Sequence, residues 1–310
     1  MQAQNGARTV CFPRVYVKDD RTMTISKPLV RTALLAALAS ASMAPAAPLL
    51  AQAPASVSQP ADSGPTYADL AAWSDAADMV VRARVKDQVT VKAERAPGLK
   101  PGMARLYIEA ETQSLLAGQS AIGSALQYVV DVPLSAKGKV PKLKKQDVVL
   151  FARPVPGKPT MLQLVAPMAQ LPATPALEQR LLPILRQLAA ADTPPAITGV
   201  RDALPVFGNL TGESETQIFL RTASGDPASI TVVRRPGMEP AWGVSFSEIV
   251  DQSASAPARD TIEWYRLACA LPARLPGGAV LGDSLDLRRL AEQDYAFVLQ
   301  SLGPCARNFG

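Results

Sequence analysis

Between Asp78 and Pro167 the chain falls into five short apolar stretches split by Gly, Pro and Lys turns. "MVVRARVKDQVTVK" alternates from Val81, with Ala83, Val85 and Asp87 on one face and Arg82, Arg84 and Lys86 on the other. "ARLYIEAETQSLLAG" sets Leu106, Ile108 and Ala110 against Tyr107, Glu109 and Glu111. "LQYVVDVPL", "DVVLFARP" and "TMLQLVAP" complete the set. Period-two segments with little helix between them read as a small antiparallel barrel or sandwich. The expected fold is therefore α+β: a five-stranded antiparallel, OB-like barrel, then a small domain with a three-stranded meander and two C-terminal helices.

Two elements flank the barrel. "YADLAAWSDAAD" (67–78) reads as a helix with Asp69 as its cap and Leu70, Trp73 and Ala77 on one face. "TPALEQRLLPILRQLAAAD" reads as a helix capped by Thr174, with Pro175 in its first turn and Pro183 as a kink. Its apolar stripe is Leu177, Leu181, Ile184, Leu185 and Leu188. "TPPAITG" reads as a linker. After it, "ETQIFLRT", "SITVVRR" and "WGVSFSEIV" form the meander. Helices follow over about 258–271 and over "SLDLRRLAEQDYAFVLQSLG", whose stripe is Leu287, Leu290, Ala291, Tyr295, Val298 and Leu302. The resulting divisions are 56–66 linker, 67–172 barrel, 173–196 connecting helix and linker, and 197–310 α+β domain.

"DMVVRARV", a second long strand ending near Gly118, and "KLKKQDVVLFARP" together resemble the OB-type barrel of netrin modules and metalloprotease-inhibitor-like exported bacterial proteins. The resemblance covers about 78–167. Those modules typically begin at a cysteine and this stretch has none, so inhibitor activity is not implied. The chain as a whole resembles exported bacterial proteins, which implies a compartment and no activity.

The N-terminal region supplies the address. Lys27 and Arg31 precede an apolar run from Thr32 to Ala44, and Ala51-Gln52-Ala53 or Ala53-Pro54-Ala55 fits a signal-peptidase site. Pro45 and Pro48 break the run, so no stable transmembrane anchor is expected after processing. Residues 23–55 read as a signal peptide starting at Met23, and 1–22 as an over-extended start. The protein is expected to be periplasmic or secreted. Residues 1–55 carry six Lys/Arg and two Asp/Glu, so the +5 formal charge of the chain falls to +1 beyond them. Nucleic acid thereby loses its compositional support as a partner. Removing Cys11 leaves Cys269 and Cys305, an expected disulfide in an oxidising compartment.

There are no histidines. That excludes Ser-His-Asp and Cys-His catalysis and any histidine-ligated metal site, and no cofactor or metal is expected. "GVSFS" lacks the last glycine of a nucleophile elbow, and "GQSAIG" lacks the Lys-Ser/Thr of a phosphate loop. Carboxylates remain. Glu213 and Glu215 share a face if the strand extends that far. Glu248 follows Trp242, Val244 and Phe246 in period two, with Asp251 nearby. An apolar setting raises a carboxyl pKa and suits a general acid, and paired carboxylates are the glycosidase requirement. Alternatively Glu248 pairs with Arg234 or Arg235. The densest charge is "KGKVPKLKK", with Lys137, Lys139, Lys142, Lys144 and Lys145 in nine residues. It lacks the aromatics that stack single-stranded nucleic acid. It reads as a solvated loop or as a contact for an anionic envelope component or another envelope protein. The favoured function is a non-enzymatic binding module of the cell envelope; the alternative is a carboxylate-dependent, glycan-hydrolase-like enzyme in the periplasm.

Overall fold

The computed structural model describes residues 64–247 and 255–309. Helix α1 (Tyr67–Ala76) opens on a capping box. The Thr66 hydroxyl accepts the Asp69 N–H at 3.1 Å, and the Asp69 carboxylate accepts the Thr66 N–H at 2.9 Å. The cap is therefore Thr66, with Asp69 at the third helical position as its reciprocal partner. Leu70 and Trp73 form the buried face as expected.

Strands β1 (Met79–Thr90), β2 (Met103–Gly118), β3 (Ala125–Pro133), β4 (Asp147–Val155) and β5 (Lys158–Leu164) close into a barrel. The order is β1-β2-β3-β5-β4, and β4 returns to pair with β1. All junctions are antiparallel except β3–β5, which meet in parallel at Gln127 and Met161. A short β6 (Gln170–Pro172) lies on β4. Alternation puts Leu106, Ile108, Leu126, Tyr128 and Val130 inside. In β4 every side chain from Val148 to Ala152 is buried, because α1 covers its outer face: the Trp73 and Phe151 ring centroids are 5.5 Å apart. Register shifts along β1 let the long β1–β2 ribbon coil around the barrel, and the last of them turns Asp87 out to solvent.

Ion pairs on two carboxylates lace the barrel wall. Asp131 of β3 is 7% exposed and receives Arg105 of β2 through Nε at 2.7 Å and Nη2 at 2.8 Å. Asp147 of β4 takes Arg84 Nε at 2.7 Å and Arg82 Nη2 at 3.2 Å. The hydrogen bonds from Arg84 outweigh partial burial and hold the Asp147 carboxyl below its ordinary range.

Helix α2 (Pro175–Ala189) follows, capped by Thr174 and carrying Pro183 inside. The next element is one the residues conceal. Strand β7 (Ile197–Phe207) begins where a linker was expected, so the meander has four antiparallel strands: β7, β8 (Ser214–Thr222), β9 (Ser229–Arg234) and β10 (Ala241–Ser245). Gly199, Pro205 and two register shifts hide β7 from period-two reading. It is an edge strand. Ala203 donates to the Ala279 carbonyl and accepts from the Leu281 N–H, both at 2.8 Å. Pro205, two residues on, stands on the same outward side without an N–H, which suits proline to this edge.

The inner face of this sheet packs on α4 (Leu285–Leu302), with Ile218, Ile230, Val232 and Trp242 against a core that includes Leu290, Ala291, Tyr295 and Val298. Helix α3 (Ile262–Ala268) is shorter than the run expected over 258–271. Asp260 is left-handed at φ 59° and the Thr261 hydroxyl caps Trp264, so the helix cannot start earlier. Cys269 at its end is bonded to Cys305. From there the tail returns to α1, where the Asn308 and Phe309 N–H groups donate to the Asp69 carboxylate at 2.9 and 3.2 Å. The Phe309 ring lies 5.4 Å from that of Trp73. Arg266 of α3 grips Asp75 of α1 through both terminal nitrogens. No helix among the described residues is long and apolar enough to cross a membrane.

Three tyrosines differ in their hydroxyls. Tyr128 donates to Gln170 Oε1 at 2.7 Å and Tyr295 to the Pro272 carbonyl at 2.6 Å. The Tyr67 hydroxyl is shielded from water without a hydrogen-bond partner among the described residues, and burial, with Asp260 nearby, pushes its pKa up to about 12. Tyr295→Phe is expected to cost about 1 kcal/mol in urea denaturation. Tyr67→Phe should be neutral or slightly stabilising, since it removes a polar atom that has no bond to lose. Equal losses in both variants would contradict this.

Candidate functional site

The β3–β4 connection (134–146) is pinned at several points. Leu143 is buried, Gln88 donates to the Pro141 carbonyl at 2.9 Å, and the Gln88 carbonyl oxygen takes the Leu143 N–H. A tight turn closes at Gly138, φ 69°, with the Ser135 and Lys139 backbones bonded at 2.9 Å. This leaves Lys137, Lys139, Lys142, Lys144 and Lys145 all exposed. Lys144 pairs with Asp87 at 3.1 Å; the other four have no ion pair among the described residues.

The topology adds cations that the linear run does not contain. The Leu134 N–H bonds to the Gly102 carbonyl, which sets the β1–β2 loop beside the lysine loop. Arg105 Nη1 holds the Pro97 carbonyl of that loop at 3.1 Å. Lys92, Arg95 and Lys100 are exposed on it. Residues 91–102 and 134–146 thus join eight Lys/Arg against the single carboxylate of Glu94. These three were missed because they are scattered in sequence; only the pairing of β2 with β3 gathers them.

Lys145 carries a further cost. Its φ is 71°, in the left-handed region, and its N–H bonds to the Val85 carbonyl at 2.8 Å. A long side chain there is strained by roughly 1 kcal/mol, where glycine would be at ease. Strained residues gather at functional sites.

The carboxylates are arranged differently. Glu213 lies in the turn just before β8, and Glu215 is within that strand. Both line an open cleft of about 420 Å³ with Leu204, Val206, Phe207 and Arg235. Glu213 folds back on its own turn: its Oε2 accepts the Leu210 N–H at 3.3 Å, and a Cβ on Gly208 would meet its side chain. Glu215 accepts from the Gln217 amide at 3.1 Å. The two stand as near neighbours along one strand end, each held by a local donor. Glu248 and Asp251 lie outside the described residues. Of the partners considered for Glu248, Arg234 and Arg235, Arg234 is bonded to Asp294 of α4 at 2.6 Å. No group of three or more metal-ligating side chains occurs among the described residues.

In comparisons with known proteins, the chain matches no family model and no curated protein sequence.

Proposed function

We propose that the protein is an exported, non-enzymatic binding module of the cell envelope that holds an anionic partner at the cationic end of its barrel. The observation that carries this reading is the joining of two loops into one surface of eight exposed Lys/Arg, with Lys145 kept in a backbone conformation that suits glycine better. The Cys269–Cys305 bond and the leader-like run before residue 55 support an oxidising compartment. The closed order β1-β2-β3-β5-β4 supports the OB-type resemblance. Such a surface attracts phosphate- or carboxylate-bearing polymers and lipids and gives binding that weakens with salt.

The test is co-sedimentation with vesicles containing phosphatidylglycerol, beside neutral phosphatidylcholine vesicles. Each basic residue near an anionic surface contributes about 1 kcal/mol, so the triple variant K142E/K144E/K145E is expected to bind about a hundredfold more weakly or worse. Lys145→Gly should raise stability while weakening binding, because it relieves the backbone and removes a charge. Unchanged partitioning of the triple variant would remove this surface as the contact. Retention of binding at high salt would remove the electrostatic account.

A further inference from the structure

The face of the second sheet turned away from α4 holds a second built feature, on residues separate from the lysine loops. An open cleft of about 450 Å³ is lined there by Arg201, Phe219, Arg221 and Asp226, within the size range of small-ligand sites. Three local devices shape it. First, β7 bulges at Arg201, so that Arg201 and Asp202 both stand opposite Phe219 of β8. Bulges re-aim side chains and recur beside binding sites. The result here is a stack: Asp202 Oδ2 accepts from Arg201 Nε at 2.8 Å, and the guanidinium carbon sits 5.2 Å over the Phe219 ring.

Second, Gly199 faces Arg221 across the pair. A Cβ at Gly199 would lie 3.5 Å from Nη2 and 3.9 Å from Nε of Arg221, in ordinary contact, so the guanidinium lies beside this backbone position. The φ of Gly199 is 152°, a conformation that also favours glycine. Third, Arg221 is exposed and has no side-chain hydrogen bond or ion pair among the described residues. Its planar fork therefore lies along the strand pair with its side-chain donors open among the described residues, and such a fork takes a carboxylate in a bidentate grip.

We infer that this cleft binds a small monocarboxylate with a flat, apolar body, the carboxylate on Arg221 and the flat body on Phe219. A single negative charge follows from the rim. Asp202 already neutralises Arg201, and Asp226, its own carboxylate accepting from the Ser224 hydroxyl at 2.7 Å, faces the same space. A second anionic charge would meet Asp226 with no further cation among the described lining residues to offset it.

The test is titration of the whole disulfide-bonded protein with benzoate, followed by backbone amide NMR shifts. Benzyl alcohol, acetate and phenyl phosphate serve as matched probes. Benzoate should give saturable shifts centred on Gly199, Phe219 and Arg221. Benzyl alcohol lacks the charge and acetate the ring, so both should bind about tenfold more weakly or worse. Arg221→Lys keeps the charge and loses the fork, and Phe219→Leu keeps an apolar side chain and loses the ring; each should weaken benzoate about tenfold. Both positions are at least partly exposed, so both variants should fold, as their unchanged spectra elsewhere would show. Three results would overturn the assignment: no saturable shifts with benzoate, equal affinity in Arg221→Lys, or phenyl phosphate binding as tightly as benzoate.

Discussion

Asp294→Ala is expected to lower the unfolding free energy by about 3–5 kcal/mol. Asp294 is fully buried on α4, beneath the second sheet. Its carboxylate accepts the Thr216 hydroxyl at 2.5 Å and Arg234 Nε at 2.6 Å. Thr216 is also fully buried, and the Arg234 side chain is 21% exposed. Truncating the carboxylate strands a fully buried hydroxyl and a largely covered guanidinium. The expected loss is therefore the cost of orphaned partners rather than the worth of the bonds. A companion variant separates the two. Asp294→Leu with Arg234→Met and Thr216→Val removes every member together, and it should recover most of the loss. Urea denaturation of both variants provides the measurement. A loss below about 1 kcal/mol in Asp294→Ala would mean the network is far wetter than its burial indicates.

The second large effect belongs to the disulfide. Cys269 and Cys305 are 36 residues apart, and in the chain-entropy model closing such a loop stabilises by about 4 kcal/mol. Cys269→Ser with Cys305→Ser should lose most of that. The same change should loosen the tail that follows Cys305. Asn308 and Phe309 would then exchange their hydrogen bonds to Asp69 for water, and Phe309 would leave the ring of Trp73. Trp73 fluorescence should shift to the red before global unfolding. Thermal melts with and without reductant check the stability, and alkylation with mass measurement checks the bond. An unchanged melting temperature on reduction would show that the helices alone fix the tail.

The barrel was legible because strands such as β2 and β3 bury one face, so apolar residues such as Leu106, Ile108 and Ala110 recur at period two, while β4 shows as a continuous apolar run. β7 was not, because a strand that bulges and carries Gly199 and Pro205 breaks that period while its backbone still pairs with β8. The start of α3 is fixed by the φ of Asp260, which leaves little trace in an apolar stripe. The candidate site divides in the same way. Five of its lysines lie in one run and announce themselves; Lys92, Arg95 and Lys100 join them only through strand pairing. Glu213 and Glu215 were legible as carboxylates, but the donors that hold them, Leu210 N–H and Gln217, depend on a turn geometry that no spacing rule gives. Asp294 did leave a signal. It stands three residues after Ala291 and four before Val298, inside the helix stripe, where a charge must find partners.

The seat of Asn308 and Phe309 on Asp69 has a consequence for how the protein is made. Chains leave the ribosome from the N-terminal side, and domains commonly fold as they emerge. Here the carboxylate that completes the first helix waits for amides 239 and 240 positions downstream. The opening turn is capped locally by Thr66, but its contact with the tail forms only when nearly the whole described chain has been synthesised. The seal between the first helix and the tail is therefore among the last contacts open to a growing chain.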